Sequence, residues 1–67
     1  MPHVLITLVK GRTAEQKRRI AERITDAISE EGKVGRDRVA VCFVEVDAES
    51  YSRGGVMLSE NAKVPQG

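Results

Sequence analysis

The chain has 67 residues, a formal net charge of +1 at pH 7 and one cysteine, Cys42. A single domain of this size buries only about 60% of the surface its unfolded chain exposes; with no disulfide possible within the chain and no Cys/His cluster at metal-ligand spacing, no metal or other cofactor is expected, and oligomerisation is the route left to a sufficient core. Near-balanced charge excludes a nucleic-acid backbone or anionic membrane surface as partner, and neither a membrane-spanning run nor a secretory leader is present, so a cytoplasmic protein is expected.

The chain opens with Met1-Pro2-His3 and the run Val4–Val9, apolar on both alternating faces. Such a run predicts a strand covered on both sides. Lys10-Gly11-Arg12 breaks it. Thr13 and Gln16 stand at capping-box spacing, and Ile20, Ala21, Ile24, Ala27 and Ile28 keep helical periodicity against a charged face containing Lys17, Arg18, Glu22, Arg23, Asp26 and Glu30. The helix is expected to run for about 18 residues, roughly 27 Å, and to end with Gly32 as its C′ residue. After a polar connection over Lys33–Arg38, the run Val39–Val46 predicts a second strand, so that strand, helix and strand form a parallel βαβ unit. Gly54-Gly55, between Tyr51-Ser52-Arg53 and Val56-Met57-Leu58, predicts a hairpin, and residues 59–67 a polar arm or frayed tail of the same single domain. One helix cannot cover both faces of this sheet, so sheet-on-sheet packing between subunits is expected.

Pro2 is the first candidate for chemistry. Removal of Met1 would free a secondary amine, and apolar surroundings would lower its basicity towards the working pH. On position alone, Pro2 merely begins a strand, where its missing N–H costs nothing. Arg12, between a glycine and a helix N-cap, is placed to hold a carboxylate, although alone it reads as a solvated loop residue. His3 is expected to point away from the amine by strand alternation. Cys42 is expected to be an inert core residue within an apolar strand, Lys17-Arg18-Arg19 the wet face of the helix, and Glu45 a strand-end surface carboxylate.

Taken together, Pro2, the short strand, Gly11-Arg12, the helix opening Thr13-Ala14-Glu15-Gln16-Lys17, the second apolar strand and an aromatic ahead of Gly54-Gly55 resemble the 4-oxalocrotonate tautomerase family from Pro2 to about Leu58 without gaps. The resemblance implies an α+β fold in which two βαβ units join into a four-stranded sheet and three such dimers form a hexamer. It also implies an isomerase that moves a proton between enol and keto forms of a small 2-hydroxy-dienoate or 2-oxo acid, as in aromatic catabolism. Pro2 would be the catalytic base, Arg12 would bind a substrate carboxylate, and Tyr51 would line the pocket. The sequence departs from the family pattern at Ala40, where the best-known members carry a second arginine acting on a substrate held by another subunit. Arg38, two residues earlier on the same strand face and about 6.6 Å away, is the expected substitute, with Arg36 and Arg53 as alternatives. The alternatives to the isomerase are a non-catalytic or heteromeric acid-binding oligomer on the same scaffold, or a proline-dependent hydratase or dehalogenase. A retained Met1, which makes the Pro2 nitrogen an amide, would favour the non-catalytic one.

Overall fold

A computed structural model describes residues 1–60. Strand β1 (His3–Val9) leads into helix α1 (Ala14–Gly32), which returns the chain to strand β2 (Ala40–Val46) beside β1. The two strands are parallel and in unbroken register from His3 opposite Ala40 to Val9 opposite Val46. Parallel neighbours can only be joined by a crossover, and the helix between them supplies it. The expected α+β fold and its βαβ unit are present.

The helix starts where local chemistry satisfies its free N–H groups. The Gln16 amide N–H donates to Thr13 Oγ1 at 3.1 Å, and the Thr13 N–H donates to Gln16 Oε1 at 2.9 Å, a complete capping box. At the other end Gly32 is still helical, and Lys33, not Gly32, adopts the left-handed conformation (φ 57°). The Val34 N–H reaches back to the Ser29 carbonyl at 3.2 Å, and the Ser29 hydroxyl donates to the Val34 carbonyl at 2.6 Å. These bonds close a Schellman-type end one residue later than the glycine suggests.

Register assigns the two sheet faces. Val4, Ile6 and Leu8 share one face with Val41, Phe43 and Glu45, and α1 covers that face. Lys17 on the helix bonds Glu45 at 2.9 Å, both side chains being about 30% exposed, so the two expected surface charges instead tie helix to strand. The opposite face carries His3, Leu5 and Thr7 beside Ala40, Cys42 and Val44, and nothing among the described residues covers it: Leu5 is 62% exposed. Cys42 therefore lies exposed on this face rather than inside a core, because the single helix protects only the other side. No side chain among the described residues is fully buried.

Beyond β2, a 3-10 turn over Ala48–Ser50 leads to strand β3 (Ser52–Arg53), the Gly54-Gly55 turn and strand β4 (Val56–Met57). Both glycines have positive φ (60° and 84°), which a tight two-residue hairpin requires and side-chain-bearing residues resist. Leu58–Glu60 form a final 3-10 turn, and the remainder of the expected tail, residues 61–67, lies outside the described residues.

Candidate active site

One group of candidate residues gathers where β1 begins. The Ala40 N–H donates to the Pro2 carbonyl at 3.0 Å, fixing the proline one residue ahead of the strand. The pyrrolidine ring is half-buried, whereas Met1 is 92% exposed. No ladder bond is lost through the missing N–H. The 3-10 turn Arg36–Arg38 delivers β2 to the same end of the sheet, held by the Arg38 N–H to the Gly35 carbonyl at 3.0 Å and the Val39 N–H to the Arg36 carbonyl at 3.2 Å. Its two arginines differ. Arg36 is paired with Asp26 of the helix, and Arg38 has no carboxylate partner among the described residues. Arg38 closes this turn two residues before Ala40, the first residue of β2, and its side chain is exposed. Ala40 itself offers only a methyl group here, and its cross-strand neighbour is His3, which lies on the open face.

A second group gathers at the far end of the same strands. The last rung is the Lys10 N–H to the Val46 carbonyl at 2.9 Å, after which Gly11, at φ 145°, redirects the chain into the helix cap. Arg12 is thereby pinned between the turn and the capping box, half-buried, beside the free N–H groups of the helix start. It lines an open cleft of about 300 Å³ with Gln16, Arg19, Ile20 and Arg23. Nearby, Arg18 above all, and then Arg19, hold the Glu15 carboxyl below the usual carboxylate range by hydrogen bonding its charged form, while partial desolvation opposes them. Tyr51 leaves β2 from this end too. Its backbone is extended between the 48–50 turn and β3, its carbonyl accepts the Leu58 N–H at 2.8 Å, and its side chain is 36% exposed. Arg53 lies exposed in β3.

Pro2 and the turn that carries Arg38 thus precede the paired starts of β1 and β2, whereas Arg12 and Tyr51 follow their ends, so the two groups belong to opposite ends of the sheet. The eight steps from Pro2 to Lys10 span about 26 Å at 3.3 Å per residue. Within one chain, Pro2 and Arg12 cannot touch the same small acid. Sequence reasoning missed Gln16, Arg19 and Arg23 as companions of Arg12. Gln16, Arg19 and Arg23 stand three and then four residues apart, a one-face helical pattern that begins four residues after Arg12 and is the signal in the sequence that could have found them.

No group of three or more His, Cys, Asp or Glu side chains among the described residues could hold a metal ion, and no described helix is long and apolar enough to cross a membrane. A family model described as tautomerase enzyme matches residues 2–61. A probable tautomerase of Bacillus cereus is 37% identical over 60 residues, covering 90% of this chain and 98% of that protein. The 2-hydroxymuconate tautomerase of Bacillus subtilis is 33% identical over 60 residues, covering 90% and 97%. Among solved structures, a chain of the heterohexamer 4-oxalocrotonate tautomerase from Chloroflexus aurantiacus J-10-fl superposes with a TM-score of 0.86 at 28% identity, covering 90% of this chain and 97% of that one.

Proposed function

The chain belongs to the tautomerase family, and from that premise we propose that it is an isomerase of small 2-hydroxy-dienoate or 2-oxo acids, with Pro2 as its base and a site assembled from more than one subunit. After loss of the exposed Met1, the Pro2 amine takes the proton of the substrate's enol hydroxyl. The ammonium so formed returns that proton to a carbon of the dienolate. Proton and charge balance within the cycle, with no external oxidant or reductant. Arg12 holds the substrate carboxylate as a charge-assisted pair, Tyr51 walls the pocket, and Arg38 supplies the second cation beside Pro2.

The observation that carries this reading is that Pro2 and Arg12 flank opposite ends of β1, a strand that spans about 26 Å from Pro2 to Lys10. A small acid can meet both only if the Arg12 end of one chain lies against the Pro2 end of another. An antiparallel pair of βαβ units sets those ends against each other, and the open sheet face provides the surface on which pairs associate further, into a hexamer. The domain is taken as one unit, residues 1–67, acting in the cytoplasm.

Mass spectrometry of the native protein should find Pro2 as the first residue. Pro2→Ala should lower the rate of enol-to-keto conversion of a 2-hydroxy-dienoate by about 10²-fold. Arg12→Ala should be similarly impaired. Mixed oligomers of the two variants should regain activity, since some sites then combine an intact Pro2 with an intact Arg12. Full activity in Pro2→Ala would sink the proline mechanism, and no recovery on mixing would sink the shared site.

Ala40 favours a second reading. Its methyl group donates no hydrogen bond to a developing enolate, a contribution that commonly amounts to a few kcal/mol. In that reading a sister chain supplies the arginine, as a heterohexamer would allow. Co-purification of a second small chain would support it.

A further inference from the structure

The cleft at Arg12 has an uneven charge distribution. Its lining is Arg12, Gln16, Arg19, Ile20 and Arg23, with three guanidinium groups and no carboxylate. Arg19 Nε lies 3.2 Å from Glu15 Oε2, so part of its charge is answered locally. Arg12 and Arg23 have no carboxylate within 4.0 Å among the described residues, although acidic side chains make up ten of the 67 positions. Every other arginine of helix α1 is ion-paired, as is Arg36 in the turn after it: Arg18 with Glu15 and Glu22, Arg19 with Glu15, Arg36 with Asp26. The two unanswered cations of the helix region face one concavity.

Spacing adds direction to this charge. Arg19 and Arg23 are one turn apart, about 6 Å along the axis, and Arg23 lies roughly 14 Å along the helix from its first residue, Ala14, with Arg12 just ahead of the cap. Long side chains from the two ends can reach inward over the Ile20 side chain between them. A single carboxylate satisfies one such guanidinium and leaves the other without a partner. Two anionic groups joined by a short apolar chain answer both, with Ile20 against the chain and the Gln16 amide free to donate. A volume of about 300 Å³ lies at the small end of the range for such ligands.

We propose that Arg23 is a specificity-determining residue: it holds a second anionic group of the acid whose first carboxylate Arg12 takes. This rests on the reading of Arg12 as the substrate-carboxylate residue. Arg23 touches no reacting atom in this scheme and acts by favouring a doubly charged substrate over a singly charged one. It also supplies, from the helix, a cation that β2 lacks at Ala40.

The test compares two substrates and one pair of inert probes. With the native oligomer, the ratio of kcat/KM for a six-carbon 2-hydroxy-dienoate diacid over the corresponding monoacid should fall about tenfold in Arg23→Gln, with most of the change in KM. Arg23→Lys should recover part of it, because a point charge remains. An unchanged ratio in Arg23→Gln would overturn the assignment while leaving the Pro2 mechanism standing. If no proton transfer is seen with either substrate, the proposed isomerase fails, and calorimetric titration still tests the cleft. There adipate should bind the wild type at least tenfold more tightly than hexanoate, and Arg23→Gln should erase the difference. Equal binding of adipate and hexanoate to the wild type, or displacement of adipate by equimolar inorganic phosphate, would overturn a diacid subsite.

Discussion

Lys33 holds a left-handed backbone, φ 57°, at a position where glycine is the usual occupant. The β-carbon there opposes this conformation by roughly 1–2 kcal/mol, and the Ser29–Val34 bonds on either side keep the chain in it. Lys33→Gly is therefore expected to stabilise the protein by roughly 0.5–1 kcal/mol after allowing for the freer unfolded chain. Thermal melting at fixed protomer concentration reads the change. The sequence suggested Gly32 for this role, because composition places a glycine near the end of a helix but does not decide which residue makes the last turn. The start was easier to read: Thr13 and Gln16 are three residues apart, and their mutual bonds are entirely local.

The helix as an element is stabilised by charge on its outer side. Glu15, in the first turn, accepts from Arg18 and Arg19, and its pKa is lowered as a result, with Arg18 the larger cause. A carboxyl whose folded pKa lies below its unfolded value contributes stability above the unfolded value, and that contribution is lost as pH falls through the folded one. Wild type should thus melt above Glu15→Gln at neutral pH, and the two curves should converge once the pH falls below the carboxylate range. A constant difference down to strongly acid pH would show that the glutamate acts through packing instead. Helical periodicity and the Gly54-Gly55 signal read α1 and the hairpin correctly, since both are set by neighbours a few residues apart. The spacing that joins Arg12 to Arg23 is as local, but it gains meaning only when the cleft beside it is seen.

At the scale of the whole molecule, the described residues enclose no interior. Its radius of gyration is 14.7 Å, against roughly 11 Å for a compact domain of this length, and the open face of the sheet presents Leu5, Cys42 and Val44 to solvent. Contiguous exposed apolar faces of this kind mark contact surfaces, and the oligomer proposed above would cover this one. Leu5→Asp, which places a charge at its centre, is expected to reduce the mass measured by light scattering to that of a smaller species and to remove activity with it. Retention of the wild-type mass would exclude this face as the contact. The expectation that Cys42 sits in a core failed at this scale, because alternation fixes which face a side chain takes but not which face a single helix will cover.

The sequence by itself determined the elements, their order and the family, since capping, periodicity and glycine turns act over a few residues. It also brought forward Pro2, Arg12, Arg38 and Tyr51 as individual residues. Only the tertiary structure decided how they are distributed. The parallel register sets the start of β2, just after the turn carrying Arg38, against the Pro2 end of β1, and the length of β1 carries Arg12 to the opposite end of the sheet with Tyr51. Distance along a strand is a property of the fold, and about 26 Å of it, from Pro2 to Lys10, keeps the proline and the Arg12 turn at opposite ends within one chain.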